Sequence, residues 1–524
     1  MLRRLAAAGV VAAFIALLLP MWDPVYRFSG LLMLDGRIRE TSLPVLRDGP
    51  MLRGNGGYDG QFYVQIACDP SLRDPRLERA VDSLPYRARR ILMPAVAWCA
   101  GLGDPERIVG VFPWLNIVGW FALAWVLWGV LQAGDRWLGL AGWAGVLLSA
   151  GTLASVRCAL ADLPSLLLLA LAVRWAERGR GGVAAGWFGA ALLTRETILA
   201  GAWGLLSRAW PTDRDWFRSV GWVVVAAVPL ALWMAYVSAM AGAVGGVTRN
   251  FDWPGLGLWR DWFEEVAFLQ RTGDIRLGVP SVLATFSLTV QAVFILRIWR
   301  PEDRWWRTGM GSLLLMLVLG PAVWEGIFGA ALRVVLPLLL ACNVLAVRRG
   351  GRSMAVWLLL MNLSVPAGFV EMTPADLQSS LFRSRAASTV ILLEEAGGFY
   401  GAERNGSDVW AWSAQTAEAR AHLWSDQGAV TVVLRAKARS LDGREVIVSS
   451  GDRELWRGQV GVDWTDIETP AFVVPVGESG LRFHSPEAAE REGPNADARL
   501  FSVCVLNPRL ELVDAVEGGR RPTE

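Results

Sequence analysis

The sequence predicts a polytopic α-helical membrane protein that carries a C-terminal extracytoplasmic β-sandwich domain. Of its 524 residues only 19% are charged, whereas soluble domains have about 25%. The long apolar runs of the chain all end near residue 370. Beyond that point, short runs alternate between apolar and polar residues, which is the period of a half-buried β-strand.

The composition excludes several classes of protein. A formal net charge of +2 argues against a nucleic-acid footprint. The five cysteines lack the paired short spacings of zinc fingers, redox motifs and disulfide scaffolds. The chain has two histidines, His422 and His484, and both follow the apolar part. Chemistry in the membrane part must therefore depend on carboxylates and arginines.

Apolar runs long enough to cross a hydrocarbon core of about 30 Å predict the membrane helices. The run at 183–208 is interrupted by Thr194, Arg195 and Glu196, so we read it as two shorter helices that meet at a polar break. This gives about eleven membrane segments, near 5–21, 107–132, 138–156, 160–176, 183–208 (counted twice), 219–241, 278–298, 308–324, 328–347 and 353–370. The first run could be a signal peptide, but no small-residue cleavage site follows it, and we expect an uncleaved membrane helix.

The arginines of the short loops predict the orientation. They fall on one side of the predicted helices, which the positive-inside rule assigns to the cytoplasm. The other side then receives a large first loop at 22–90, the break at Arg195, a loop at 242–276 and the C-terminal portion. We therefore expect a transmembrane domain at 1–370 and, after a linker, a β-sandwich within 371–524.

Five short runs in the C-terminal portion predict strands, at 430–435, 445–448, 472–476, 481–483 and 500–506. We expect turns between them, including one at 477–480, and an antiparallel sandwich. The charged and histidine side chains are expected on a solvated surface. Trp456 and Trp464 either bind glycan or pack in the core, and the sequence leaves both alternatives open.

The first external loop contains the richest segment, Gly56-Gly57-Tyr58-Asp59-Gly60-Gln61-Phe62-Tyr63. Asp59 lies between glycines and aromatic residues, so its carboxylate could approach a substrate closely and act as a general base on a sugar hydroxyl. Alternatively, Asp59 caps the helix that follows it. We expect that helix, at 61–67, to be short, amphipathic and located at the membrane surface.

A cluster of arginines follows in Pro85-Tyr86-Arg87-Ala88-Arg89-Arg90-Ile91-Leu92-Met93-Pro94. Guanidinium groups match phosphate oxygens in a bidentate geometry, so this cluster either binds a substrate phosphate or anchors the loop to lipid headgroups.

Further ionisable residues interrupt apolar sequence. Arg157 and Asp162 bracket the external end of one helix pair, and Arg195 with Glu196 breaks another. Ionisable residues within a membrane are costly and usually functional, although these four could also neutralise one another. Glu325 and Arg333 form a similar, weaker pair near the external ends of later helices.

These motifs resemble the signatures of a known family. The string from Tyr58 to Tyr63, with Ala67 and Asp69-Pro70 after it, and the string at 85–94 are similar to two signatures of bacterial membrane proteins linked to cell-surface glycopolymer formation. These proteins look like GT-C-type glycosyltransferases. The break at 193–197 resembles its counterpart in polyprenyl-phosphate-sugar transferases, and 398–413 is similar to β-sandwiches that trail some such enzymes. The resemblance covers most of residues 1–370.

The resemblance implies a multi-pass enzyme of the bacterial inner membrane, with its site and its C-terminal domain in the periplasm. Such enzymes transfer a sugar from a lipid-linked phosphate donor to an acceptor hydroxyl on a cell-surface glycan or lipid, in a single inverting displacement. Its expected partners are that donor, that acceptor and membrane lipids, and no nucleic acid.

The resemblance also implies roles for particular residues. Asp59 fits the base, and the arginines fit the donor phosphate, whose developing charge they would stabilise. The remaining candidates would support these groups or contact the acceptor. The phosphate-binding set is Arg89, Arg90 and Arg195; the supporting set is Tyr58, Gln61, Arg157, Asp162 and Glu196.

Whether a metal takes part stays open. Many relatives of the broader fold carry two nearby acidic residues in the first loop, whereas Asp59 has no acidic neighbour before Asp69. No cofactor is required by the implied mechanism, and a divalent metal remains an alternative.

Two functions of other classes fit the same residues. The first is a transporter or flippase for lipid-linked glycans, with Arg157, Asp162, Arg195 and Glu196 along its path. The second is a non-catalytic scaffold of a polysaccharide assembly machine. A transporter should hold its charges near the bilayer midplane on discontinuous helices, whereas an enzyme should gather them at the external rim beside Asp59.

Overall fold

The computed structural model describes residues 2–23, 26–49, 51–54, 56–131, 136–208, 210–211, 213–242, 250–326, 330–373, 380–386, 389–400, 402–405, 408–425, 428–490 and 500–513. The chain divides into two compact units. The first comprises Met1–Leu52 and Gly56–Ala375, and the second comprises Arg53–Asn55 and Asp376–Glu524.

The first unit is helical. Its α-helices are α1 (Leu2–Leu18), α2 (Pro44–Asp48), α3 (Gly60–Cys68), α4 (Leu77–Ala80), α5 (Leu84–Arg87), α6 (Leu92–Ala100), α7 (Pro105–Leu131), α8 (Arg136–Leu147), α9 (Ala150–Arg157), α10 (Asp162–Glu177), α11 (Gly181–Thr194), α12 (Arg214–Ala241), α13 (Leu256–Thr272), α14 (Ile275–Arg297), α15 (Arg304–Val318), α16 (Pro321–Trp324), α17 (Ala331–Val334), α18 (Leu336–Arg349), α19 (Arg352–Met361) and α20 (Val365–Glu371). Short 3-10 helices occur at Leu19–Met21, Ser29–Leu32, Gly36–Thr41 and Glu196–Leu205, and the first loop contains two-residue strands β1 (Leu34–Asp35) and β2 (Arg53–Gly54).

Five helical stretches of the described residues are long and apolar enough to cross a membrane. The bent pair of α8 and α9 would make a sixth, and α11 is a shorter apolar helix. The five are Leu2–Met21, Pro105–Leu131, Arg214–Ala241, Ile275–Arg297 and Arg352–Glu371. The length and composition of these helices are those of a membrane protein. The count of eleven membrane segments stays a prediction.

The sequence explains where several helices begin. Asp213, Asp274 and Asp303 precede α12, α14 and α15, and each side-chain carboxylate accepts a hydrogen bond from a backbone N–H of the first turn. Because those N–H groups have no partner inside the helix, an aspartate at this position stabilises the start.

The predicted polar break is present. Helix α11 ends at Thr194, Arg195 is extended, and the chain continues as the 3-10 segment Glu196–Leu205. This segment lies close against α15, because Gly204 and Gly311 leave no room for a Cβ at the contact. The break therefore places the polar pair Arg195 and Glu196 between two apolar helical segments, α11 and the 3-10 segment.

Two predictions about the first unit are wrong. Helix α3 is not an amphipathic surface helix, because seven of its nine residues are buried. The predicted loop at 242–276 is described from residue 250 onward and contains the 17-residue helix α13. Its charged residues hid α13 from a search for apolar runs, since even its buried positions include Asp261 and Glu265.

The second unit is a β structure. Its strands are β3 (Ser380–Ala386), β4 (Thr389–Phe399), β5 (Glu403–Asn405), β6 (Asp408–Ser425), β7 (Val430–Ser440), β8 (Arg444–Ser450), β9 (Arg453–Val460), β10 (Thr465–Glu468), β11 (Phe472–Val474), β12 (Gly477–His484) and β13 (Val503–Leu512).

The 18-residue strand β6 joins the two halves of this unit. Its first residues pair with β5 and β13, and its later residues pair with β4 and β12. Beyond these neighbours, β13 continues to β7, and β12 continues to β8 and β9. All the pairings are antiparallel, and inward-facing apolar residues of both halves form one core.

Two further predictions fail here. The segment 477–480 is the start of β12 and pairs with β6, so it is not a turn. His422 is buried, with its imidazole 3.2 Å from a carboxylate oxygen of Glu394, and not part of a solvated surface. Trp456 packs against the core, whereas Trp464 is exposed beside Arg439.

Candidate active site

A polar cavity of about 350 Å³ lies within the first unit. Four separate parts of the chain form it: the first loop, the break after α11, Asn250 before α13, and the region around α16 and α17. Its lining residues are Tyr58, Asp59, Ser83, Tyr86, Arg87, Arg90, Arg195, Asn250, Ala322, Val323, Ala330, Arg333 and Val334. The cavity thus collects carboxylate, phenol and guanidinium groups that are up to about 275 residues apart in sequence.

Asp59 enters the cavity from the residue just before α3. It occupies the N-cap position, but its side chain makes no capping hydrogen bond. Instead, Oδ2 lies 2.7 Å from Nη1 of Arg87, and Oδ1 accepts no hydrogen bond from any described residue. Gly60 makes this placement possible, because a Cβ at that position would overlap the carbonyl oxygen of Cys158.

Arg87 connects Asp59 with a second carboxylate. Its Nη2 lies 2.7 Å from Oδ2 of Asp82, whose side chain is 43% exposed. Burial acts to lower the pKa of Arg87, but the hydrogen bond with Asp82 and the charge of Asp59 outweigh it, and the pKa is raised. Arg87 therefore stays a cation between two carboxylates, one inside the cavity and one outside it.

Arg90 forms a second ion pair at the break after α11. Its Nη2 lies 3.0 Å from Oε1 of Glu196, and its guanidinium also donates to the phenol oxygens of Tyr63, at 2.5 Å, and Tyr86, at 3.3 Å. With four acceptor contacts and almost no exposure, this guanidinium is held in one orientation.

A third cluster surrounds Asp162, the first residue of α10. One carboxylate oxygen contacts Nη1 of Arg195, and the other lies 3.7 Å from Nη1 of Arg333. Arg333 also donates to the phenol oxygen of Tyr58 and lies over that ring. Burial raises the pKa of Tyr58 to about 12, so its phenol stays protonated.

The three clusters carry different charges. Asp59, Arg87 and Asp82 together carry −1, Arg90 with Glu196 is neutral, and Arg195, Asp162 and Arg333 together carry +1. The cavity therefore has an acidic side, which contains the free Oδ1 of Asp59, and a basic side between Arg195 and Arg333. An anion is favoured on the second side and a proton acceptor is available on the first.

The structure brings together most of the residues that the sequence nominated. Asp59, Tyr58, Arg90 and Arg195 line the cavity. Asp162 and Glu196 hold arginines of the lining through ion pairs.

Three nominated residues lie elsewhere. Arg89 is not part of the lining, and its guanidinium lies over the ring of Tyr86. Gln61 is buried and accepts a hydrogen bond from the backbone N–H of Asp35 at 2.9 Å. Arg157 donates hydrogen bonds to the carbonyl oxygens of Gly30 and Thr373, at 2.9 and 3.2 Å. It therefore does not pair with Asp162 or Glu196, as the alternative of four mutually neutralising residues required.

Sequence reasoning gave no role to several lining residues. Arg87 and Tyr86 belong to the arginine-rich string, but the string alone does not say which guanidinium faces inward. Arg333 was paired with Glu325, whereas its contacts in the cavity are Asp162 and Tyr58. The signal available in the sequence was Asp162 within an apolar run. Because Arg195 contacts only one of its two carboxylate oxygens, a second cation beside the other oxygen was to be expected.

No group of three or more His, Cys, Asp or Glu side chains is placed to hold a metal ion within the described parts of the chain.

An apolar groove of about 450 Å³ lies between the first loop, the end of α11 and the outer face of α12. Ile91 and Leu193 contribute to it; Ile91 directly follows Arg90, and Leu193 lies two residues before Arg195. Its other lining residues are Ser71, Pro229, Leu232, Trp233 and Tyr236.

No family model matches the chain, and no curated protein matches it. Among solved structures, it is similar to the arabinosyltransferase EmbB from Mycobacterium smegmatis, with 10% sequence identity and a TM-score of 0.29. The similarity covers 99% of this chain and 66% of that one, so the chain spans just under two thirds of its length. A likeness at this level does not place the chain in a family.

Proposed function

We propose that the chain is a membrane glycosyltransferase that moves a sugar from a lipid-linked phosphate donor to an acceptor hydroxyl on a cell-surface glycan or lipid. The proposed site opens to the periplasmic side of a bacterial inner membrane. One observation carries the proposal: a carboxylate with a free oxygen, Oδ1 of Asp59, shares a cavity with four arginines.

Asp59 acts as the general base in this proposal. The acceptor oxygen forms a bond to the anomeric carbon while the bond from that carbon to the phosphate oxygen breaks, with inversion. The hydroxyl proton passes to Oδ1 of Asp59, and the electron pair leaves with the phosphate. Arg87 holds the other oxygen of Asp59 at 2.7 Å, which orients the base without occupying Oδ1.

The basic side of the cavity receives the departing phosphate. Arg195 and Arg333 share a single carboxylate, Asp162, so this cluster has one uncompensated positive charge. A negative charge that grows on the phosphate oxygen is stabilised by cations already held in place. Arg90 adds a third cation at the same edge, oriented by Glu196.

The apolar groove supports a donor with a lipid tail. The proposed phosphate-binding residues Arg90 and Arg195 lie within two residues of the groove residues Ile91 and Leu193 in the sequence. A polyprenyl chain in the groove would bring its phosphate to these arginines. In such an arrangement, burial of the apolar lipid tail provides the affinity for the donor. The ionic contacts of the arginines then stabilise the phosphate in the transition state.

The experiment compares Asp59→Asn with Asp82→Asn in a host that lacks its own copy. Both changes remove one carboxylate from the same arginine, but Asp82 lies outside the cavity lining. We expect the host with Asp59→Asn to lack the same surface sugar as the deletion strain. The host with Asp82→Asn should carry that sugar. Both proteins must be present in the membrane at the wild-type level.

A transporter remains the alternative, because the helix break at Arg195 lies beside the cavity and discontinuous helices are typical of transporters. Membranes supplied with the lipid-linked donor and acceptor on the same side distinguish the two. Asp59-dependent transfer under those conditions supports the enzyme. An intact surface glycan with Asp59→Asn would refute the base assignment and would favour the transporter or scaffold.

A further inference from the structure

A second cavity, of about 360 Å³, lies at the opposite ends of the same helices. The first residues of α11 and α12, the end of the 3-10 segment Glu196–Leu205 and the first residue of α15 form its walls. The active-site cavity, by contrast, receives the residue that follows α11 and the residues after α15. The two cavities are thus separated by the length of α11.

The first wall presents backbone donors. The N-cap residue of α11, Arg180, makes no side-chain capping bond, and no described acceptor receives the backbone N–H groups of Gly181 and Gly182. Trp222 packs against these two glycines so closely that a Cβ at Gly181 would lie 2.7 Å from its ring. Unsatisfied N–H groups at the start of a 14-residue helix favour a negatively charged ligand.

The side chains around these donors point to the same kind of ligand. Arg218 lines the cavity and has no ion pair with any described residue. Ser207 lines it too, and its Oγ is buried with no hydrogen-bond partner in the described structure. Arg304 fixes the facing wall, because its Nη1 donates to the carbonyl oxygens at the end of the 3-10 segment, at 2.6–3.2 Å.

The charge of the lining favours a monoanion. Arg218 and Arg304 contribute two positive charges, and Asp215 contributes one negative charge, which leaves +1. Trp222 and Val223 line the cavity on α12, and the residues just beyond them, Val224 and Val225, are more than half exposed. In a membrane helix, this exposed apolar face contacts lipid. The cavity therefore adjoins the lipid at the arginine-rich end of the helices.

We propose that this cavity binds the phosphodiester headgroup of an anionic phospholipid, with its acyl chains along α12. The predicted orientation places it in the cytoplasmic leaflet, where basic pockets between helices recognise such headgroups. This site is separate from the proposed transfer reaction. The bound headgroup joins α11, α12 and the 3-10 segment that carries Glu196 at its other end.

Native mass spectrometry of the full chain, purified in detergent and supplied with phosphatidylglycerol, tests the proposal. The matched variants are Arg218→Gln and Arg214→Gln, because both remove one arginine charge from the start of α12 and only Arg218 lines the cavity. We expect Arg218→Gln to weaken phosphatidylglycerol binding about tenfold, since charge-assisted bonds to phosphate are the strong ones, and Arg214→Gln to leave it unchanged.

Two other ligands complete the experiment. Phosphatidylcholine should bind at least about tenfold more weakly than phosphatidylglycerol. Inorganic phosphate at about 10 mM, which would fill most of a site with a Kd of about 1 mM, should not displace the lipid. Equal loss of binding in both variants, or equal binding of the two lipids, would overturn the proposal. Displacement by inorganic phosphate would also overturn it, because the cavity would then be a site for a soluble anion.

Discussion

Replacing Asp162 with asparagine should destabilise the helical unit strongly. The Asp162 side chain has no exposure, and it is the shared partner of two arginines whose side chains are 9% and 6% exposed. Asparagine keeps the shape but removes the charge, so the cluster changes from +1 to +2 in a buried position. Removing one partner of a buried ion pair costs about 3–5 kcal/mol.

That cost is measurable as a change in melting temperature. At about 2 °C per kcal/mol, the lower end for large domains, it corresponds to about 6–10 °C. Circular dichroism at 222 nm on the purified full chain in detergent would follow the loss of helix. Asp82→Asn is the control, because its half-exposed carboxylate belongs to an ion pair worth about 0–1 kcal/mol.

A double variant tests the electrostatic cause. Asp162→Asn combined with Arg333→Gln returns the cluster charge to +1, so it should recover part of the lost melting temperature. If Asp162→Asn lowers the melting temperature no more than Asp82→Asn does, the buried cluster is not held by charge, and the reasoning about the basic side of the cavity is refuted.

Three further predictions concern the site and the helix α13. Tyr58→Phe should lower kcat/KM for transfer at least about tenfold and the melting temperature by about 2–6 °C, because a buried guanidinium loses an acceptor at a cost of about 1–3 kcal/mol; unchanged kinetics would contradict this. Gly60→Ala should abolish transfer by displacing the start of α3, whereas Gly56→Ala, where a Cβ meets nothing within 4 Å, should be active; equal activity of the two variants would refute the close approach. Burial raises the pKa of Asp261 to about 7, so the folded state holds this proton more tightly than the unfolded state, and stability should fall as pH rises from about 4 through about 7. In a series of melting curves over pH, Asp261→Asn should reduce this fall in stability, whereas Glu106→Gln, at an exposed position of α7, should leave the fall unchanged.

The sequence was informative wherever one local pattern determines the structure. An apolar run longer than 20 residues has few alternatives to a helix, and Arg195-Glu196 within such a run predicts the break that α11 shows. Alternation predicted strands β7 and β8 for the same reason. The glycines around Asp59 predicted that its carboxylate could approach a substrate closely, and this stays a prediction; what the structure shows is a close approach of Gly60 to the carbonyl oxygen of Cys158.

The sequence was uninformative where an element is defined by its neighbours. Helix α13 buries Asp261 and Glu265 against α14, so its buried face contains carboxylates and does not read as apolar. Gly477 begins a strand only because β6 supplies its partners. Two of the three neighbouring arginines, Arg87 and Arg90, enter the cavity and Arg89 does not, and no pattern in the string 85–94 distinguishes them.

The shared strand β6 has a mechanical consequence for the second unit. Because its 18 residues exchange hydrogen bonds with both halves of the structure, neither half can peel away while β6 remains intact. The amides of β6 should therefore exchange with solvent only through global opening, and a protease should cut the unit in an all-or-none manner. A force that pulls on one half is transmitted along a single extended backbone to the other, so the β unit responds to load as one body.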